Sequence, residues 1–256
     1  MARGYEDLIA QAATVDVSGW DFAWLAGRAT EQRPSWGYQR LLSGRLASAS
    51  AGLDIQTGGG EVLAGVSVVP ALMAATESWP PNVLLATQRL HPRGVVVVAD
   101  ADEPPLPFAD AAFDLVVSRH PATIWWAEIA RVLRPGGVYF AQHVGPQSNV
   151  ELYEFFLGPQ PDAVHGRHPD VETRAAEAAG LTVTDIRMER LRVEFFDIGA
   201  VVYFLRKVIW TVPDFSVQRY ADRLRVMHEI IERDGAFVSH SSRVLIEARA
   251  GGAAPD

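Results

Sequence analysis

The stretch LDIQTGGGE, residues 53–61, runs from an apolar segment through an acid into three consecutive glycines. Glycine weakens a strand or helix interior and is tolerated where another group needs the space beside the backbone. A glycine turn closing a strand therefore points to a ligand lying close to the main chain. On either side the pattern alternates short apolar runs with helical ones, the rhythm of a parallel sheet with helices on its faces. Strands are expected near 52–56, 72–77, 95–100, 113–118 and 137–143. Pro80 and Pro81 fit the first turn of a helix running to Leu90, and Pro135, Gly136 and Gly137 stop a helix carrying Trp125, Ile129, Val132 and Leu133 inward. Asp170 is expected to cap a helix closed by Gly180.

Farther out, LTVTDIRMERLRVEFFD reads as a sixth strand and FVSHSSRVLIEARA as a seventh, with two helical patterns separated by Pro213 between them. Upstream, Tyr38, Leu41, Leu42 and Leu46 follow the rhythm of one buried helix face, and Trp20, Phe22, Trp24 and Trp36 precede it. The expected fold class is α/β: a Rossmann-like, seven-stranded, mostly parallel sheet with helices on both faces. Its domains are an N-terminal helical cap (1–50) and a main domain (51–250) with a helical insertion at about 198–233. The tail GGAAPD is expected to fray.

Composition narrows the function. With 256 residues and 48% hydrophobic content the chain can bury a substantial core. No apolar run approaches the roughly 18–20 residues that span a bilayer, and the first residues lack a basic-then-apolar leader, so no membrane and a cytoplasmic location are expected. Zero cysteines exclude disulfides, thiolate zinc sites and cysteine nucleophiles, and no HxH or HxxxH spacing suggests a metal. A formal charge of -8 disfavours a broad phosphate-binding surface, so nucleic acid is a minority expectation.

Spacing separates the ligand classes. The dinucleotide pattern G-x-G-x-x-G/A would put leucine, Leu63, at its third small position. A phosphate loop needs Gly-Lys-Ser/Thr, and Lys207 is the chain's sole lysine. LDIQTGGGE instead resembles the first motif of the class I S-adenosylmethionine-dependent methyltransferases, with Gln56 where that family usually has its first glycine. Glu77, closing ALMAATE, stands where a carboxylate accepts a ribose diol; its bland alternative is an exposed acid or helix cap. VVVVAD and the segment after it resemble the family's acid-Ala-x-x-L-P-F run beside the adenine, with Asp100-Ala101 the first register and Asp102-Glu103 the competing one. FDLVVS and EIARVLRPGGVYF continue the resemblance, which covers about residues 50–145.

The resemblance implies S-adenosylmethionine as cofactor, held by Asp54, Gln56, Thr57, Gly58, Gly60, Glu77, Ser78, Asp100, Ala101 and Arg119, with Arg28 a weaker candidate for its carboxylate. Displacement at a sulfonium methyl needs alignment and water exclusion more than a triad. His120 and His143, at strand ends, are the candidate bases, and either can equally be structural. Tyr203, Phe204, Trp210, Phe215 and Tyr220 in the insertion suit a roof over the acceptor, a homodimer interface or plain core. The resemblance is nearest to the small-molecule branch typified by ubiquinone and menaquinone biosynthesis enzymes. A ribosomal RNA guanine methyltransferase and a cofactor-binding regulatory protein are the alternatives.

Overall fold

The computed structural model describes residues 4–161 and 166–251. Its elements run α1 (Tyr5–Thr14), β1 (Ala29–Glu31), α2 (Tyr38–Ser48), β2 (Ala51–Ile55), α3 (Glu61–Ala64), β3 (Leu72–Glu77), α4 (Pro80–Leu90), β4 (Val95–Ala99), β5 (Phe113–Arg119), α5 (Trp126–Val132), β6 (Leu133–Val144), α6 (Val150–Leu157), α7 (Pro169–Ala178), β7 (Leu181–Phe195), α8 (Ile198–Lys207), α9 (Ala221–Asp234) and β8 (Phe237–Ala250). The chain divides into two compact units. The larger comprises the described residues of Pro34–Gly145, His165–Glu189 and Arg243–Asp256; the smaller comprises those of Met1–Arg33, Pro146–Val164 and Arg190–Ser242.

The larger unit is a sheet of order β7-β8-β6-β5-β2-β3-β4, with β4 at the edge. From β6 to β4 the pairs are parallel; β8 is antiparallel to β6. Strand side chains alternate between faces, so a sheet covered on both sides needs apolar residues at every position. Val116, Tyr139 and Ala141 join α5 and α7 residues such as Ile129, Val132 and Ala176 on one face. Leu115, Val117 and Phe140 meet Leu42, Leu46, Ala86 and Leu90 from α2 and α4 on the other. Tyr38 stacks on Phe140 with ring centres 5.2 Å apart.

In the smaller unit β1 pairs antiparallel with the end of β7, Ala29 opposite Phe195. Its core gathers Leu8, Ile9 and Ala12 of α1, Leu152 and Phe156 of α6, and Leu224, Met227 and Ile231 of α9 around α8. Helix α8 is buried nearly all round, from Ile198 to Leu205, as expected of a helix at the centre of a bundle.

Several expectations change. The sheet has eight strands among the described residues instead of seven, because three-residue β1 carries too little alternation to be read. Helix α2 belongs to the larger unit, while α1 belongs to the smaller. His168, not Asp170, caps α7: its ring accepts from the Asp170 N–H, and Asp170 sits in the first turn. Leu133 begins β6 instead of ending α5, and Pro135, Gly136 and Gly137 lie within that strand. The glycine turn is followed by a helix of only four residues. The tail beyond Gly251 lies outside the described residues. No helix among the described residues is long and apolar enough to cross a membrane.

Candidate functional site

Parallel registry aligns the carboxyl-end residues of five strands of the larger unit, β2 to β6, in neighbouring pairs: Ile55 beside Ser118, Arg119 beside Gln142, Glu77 beside Ala99. In open α/β sheets this is the edge where ligands settle.

The three glycines have three different reasons. Gly58 has φ +64°, and a Cβ built there meets nothing within 4 Å. Its left-handed backbone faces open space. At Gly60, φ +80°, a Cβ lies 3.0 Å from two Leu90 carbons and 3.3 Å from the Ala86 Cα. Its absence lets the turn seat against α4. A Cβ on Gly59 would strike the ion pair between Glu61 and Arg89. Only at Gly58 does the missing side chain leave open space.

Asp54 is 8% exposed, and its carboxylate accepts from the Thr57 hydroxyl at 2.7 Å. Burial pushes its pKa up to about 7, helped by the charge of Glu77 and opposed by the Thr57 hydrogen bond. Thr57 also ties the turn to β3, its N–H donating to the Thr76 carbonyl at 2.9 Å.

Glu77 is buried at the last position of β3. Its Oε1 accepts the N–H groups of Ser78 and Trp79 at 3.0 and 2.9 Å, which fixes the carboxylate, while Oε2 carries no hydrogen bond among the described residues. Asp100 follows β4, its N–H bonded to the Glu77 carbonyl at 3.1 Å. Its half-buried carboxylate likewise makes no hydrogen bond among the described residues. Asp102 is differently occupied. Its Oδ1 accepts from Gln56 Nε2 at 2.8 Å and from Trp125 Nε1 at 3.2 Å, and burial raises its pKa against those bonds. Ser78, Ala101 and Arg119 are exposed at the strand tips. Arg28 lies in the smaller unit, 3.4 Å from Asp197 and bonded to Gln11, with its guanidinium over Trp24.

The two histidines part company. His143 is 0% exposed, its Nε2 2.9 Å from the Tyr139 hydroxyl and its Nδ1 3.4 Å from Glu172, with Trp126 edge-on. Burial holds the Tyr139 phenol protonated. The expectation of His143 as a base is corrected: a ring with no exposed surface cannot meet an acceptor, and it serves the core.

His120, half-buried just beyond β5, has its N–H on the Gln142 carbonyl at 2.7 Å and its Nε2 2.9 Å from Gln142 Nε2. The tautomer follows from Trp36, whose Nε1 can only donate. It donates to Gln142 Oε1 at 2.9 Å, so the Gln142 amide nitrogen must donate to His120 Nε2, leaving the His120 proton on Nδ1. Burial, then the charges of Arg243, Arg119 and Arg167 with His143 among them, holds His120 well below the usual histidine pKa and therefore neutral. It presents a donor, not a free lone pair. Sequence reasoning missed Gln142 and Trp36. Alternation along FAQH was the available signal, since it puts Gln142 on the opposite face from His143.

A cavity of about 430 Å³ lies elsewhere in this unit, lined by Arg45, Ser48, Asp114, Leu115, Val138 and Glu247. Asp114 and Leu115 open β5, so this hollow sits at the amino ends of the strands, away from Gly58, Glu77 and Asp100.

Residues 53–141 match the family model described as a methyltransferase domain. No curated protein matches this sequence. Among solved structures, YcgJ of Bacillus subtilis is 16% identical, with 84% of this chain and 99% of that chain covered and a TM-score of 0.59. One chain of a complex that contains the Haloferax volcanii Trm112 methyltransferase activator is 18% identical, with 98% and 99% covered and a TM-score of 0.53. Haemonchus contortus phosphoethanolamine N-methyltransferase 2, bound to phosphomonomethylethanolamine and S-adenosylhomocysteine, is 17% identical, with 98% and 61% covered and a TM-score of 0.50. The solved structures share the fold. The domain match on that fold indicates an S-adenosylmethionine-dependent methyltransferase, which implies use of that cofactor.

Proposed function

We propose that the chain transfers a methyl group from S-adenosylmethionine to a small organic acceptor at oxygen, carbon or nitrogen, in the manner of the quinone-biosynthesis branch. The observation that carries this reading is the trio at the tips of β2, β3 and β4: an open glycine backbone at Gly58 and two carboxylates, Glu77 and Asp100, with acceptor oxygens to spare. In this reading Gly58 lies against the methionine portion, Glu77 Oε2 takes the ribose hydroxyls, and Asp100 takes the adenine end. Asp102, already engaged by Gln56 and Trp125, is the weaker candidate for the adenine. These residues fit the cofactor; Gln56 is the departure.

The bound cofactor supplies a methyl group on a positively charged sulfur, activated for displacement. The chain's part is then to bind, orient and exclude water. Neutral His120, with Nδ1–H as its donor, suits orienting an acceptor oxygen better than removing a proton. Acidic charge argues against an RNA acceptor, since phosphate contacts need clustered cations.

Calorimetric titration with S-adenosylmethionine, S-adenosylhomocysteine and NAD tests the cofactor. Saturable binding of the first two and none of NAD is expected; NAD binding alone overturns the reading. Labelled methyl is then followed into a panel of phenolic, quinol and amine metabolites alongside unmodified ribosomal RNA. Label in the RNA alone would reject the small acceptor.

A further inference from the structure

What Gln56 does at this crevice rests on the methyltransferase reading of the same residues. Gln56 follows β2 directly and has φ +58°, a left-handed conformation that a side chain adopts at a cost and that glycine adopts freely. Its backbone is held there by its N–H bond to Thr76 Oγ1 at 3.2 Å. From this position the side chain makes three hydrogen bonds. Nε2 donates to Asp102 Oδ1 and to the Thr123 carbonyl, both at 2.8 Å, and Oε1 accepts the Ala122 N–H. One amide thus ties the tip of β2 to the loop after β4 and to the loop after β5.

Those two loops form the rim of the ligand edge. Neither anchor is loose: Asp102 also holds the Trp125 indole, and Arg167 donates to the Pro121 and Ala122 carbonyls. Gly58, two residues on, is the open backbone, while Glu77 ends β3 and Asp100 follows β4. A ligand stretched between Gly58 and those carboxylates has to share its space with a side chain that crosses from β2 to the loop after β4. Glycine at this position would leave that passage clear.

We propose that Gln56 is a latch across the cofactor crevice, closed by its bonds to Asp102, Ala122 and Thr123, which S-adenosylmethionine must displace in order to bind. The latch sets affinity and rate of entry. Two of its three bonds are solvent-exposed, so opening exchanges them for bonds to water and is reversible. Apparent affinity is the intrinsic affinity multiplied by the fraction of molecules with the latch open.

The test measures S-adenosylhomocysteine binding by calorimetry and its association rate by stopped flow, for the full chain and for Gln56→Gly and Gln56→Asn. Asparagine tolerates the left-handed backbone and is one methylene too short to bridge, so it reports on the latch even if the glycine variant folds poorly. Release of the latch is expected to tighten binding at least about tenfold and to quicken association. Unchanged or weaker binding in both variants, beside measurable binding in the parent, overturns the latch and leaves the methyltransferase reading standing. No binding by the parent or either variant at millimolar ligand overturns that reading, and the latch with it.

Discussion

Burial beneath the glycine turn pushes the Asp54 pKa up to about 7. Between pH 4 and pH 7 the folded chain holds a proton at Asp54 that the unfolded chain has lost, so stability falls as pH rises through that window. The rise from 3.8 to about 7 puts the effect at about 4 kcal/mol at most. Asp54→Asn, whose amide oxygen still accepts from Thr57, is expected to be more stable than the parent at pH 8 and to flatten this part of the urea-unfolding profile. A second residue prediction concerns Glu77. Glu77→Gln keeps an oxygen for the Ser78 and Trp79 N–H groups but removes the charge on which the proposed ribose contact depends. Affinity for S-adenosylhomocysteine is expected to fall by roughly tenfold, the worth of one hydrogen bond to a charged group, with melting temperature nearly unchanged; equal affinity would remove Glu77 from the site.

At the scale of elements, the glycine turn divides into a packed position, Gly60, and an open one, Gly58. Gly60→Ala drives a Cβ into Leu90 and α4 and is expected to cost about 2 kcal/mol or more in stability. Gly58→Ala pays only for its backbone, about 1 kcal/mol, and should lose ligand affinity out of proportion to stability. Chemical unfolding and titration of both variants check the contrast. His143→Leu, which strands Tyr139 and Glu172 in the core, is expected to cost about 3 kcal/mol. Long elements with strong punctuation were legible from sequence: α4 between its prolines and Leu90, and β8 in full. Short ones were not. β1 is three residues of ATE between Gly27 and Pro34, and α3 is one turn, so neither carries a period. The positions of Glu77 and Asp100 at strand ends were legible because apolar runs stop there. The chain Trp36–Gln142–His120 was not, because its links span 106 and 22 positions of sequence and no local pattern encodes them.

For the whole molecule, the two units differ in what their aromatics do. In the smaller unit Tyr203 stacks on Trp24 and Phe215 on Tyr220 within the local core, while Trp210 lies exposed beside Trp20. Ligand binding should register in the larger unit: hydrogen exchange with saturating S-adenosylhomocysteine is expected to slow at residues 56–60, 77–79 and 100–102. Protection spread evenly along the chain would contradict the location of the site.

The position of β4 on the sheet's rim has its own consequence. Its VVVVA sequence leaves Val96 61% exposed on a strand with one unpartnered side, and no charge or proline interrupts it. Such a rim is a template for another chain's main-chain amides, so concentrated or heated protein should self-associate there first. A single lysine placed by Val96→Lys is expected to delay turbidity on heating without altering ligand affinity, converting a sticky border into a soluble one.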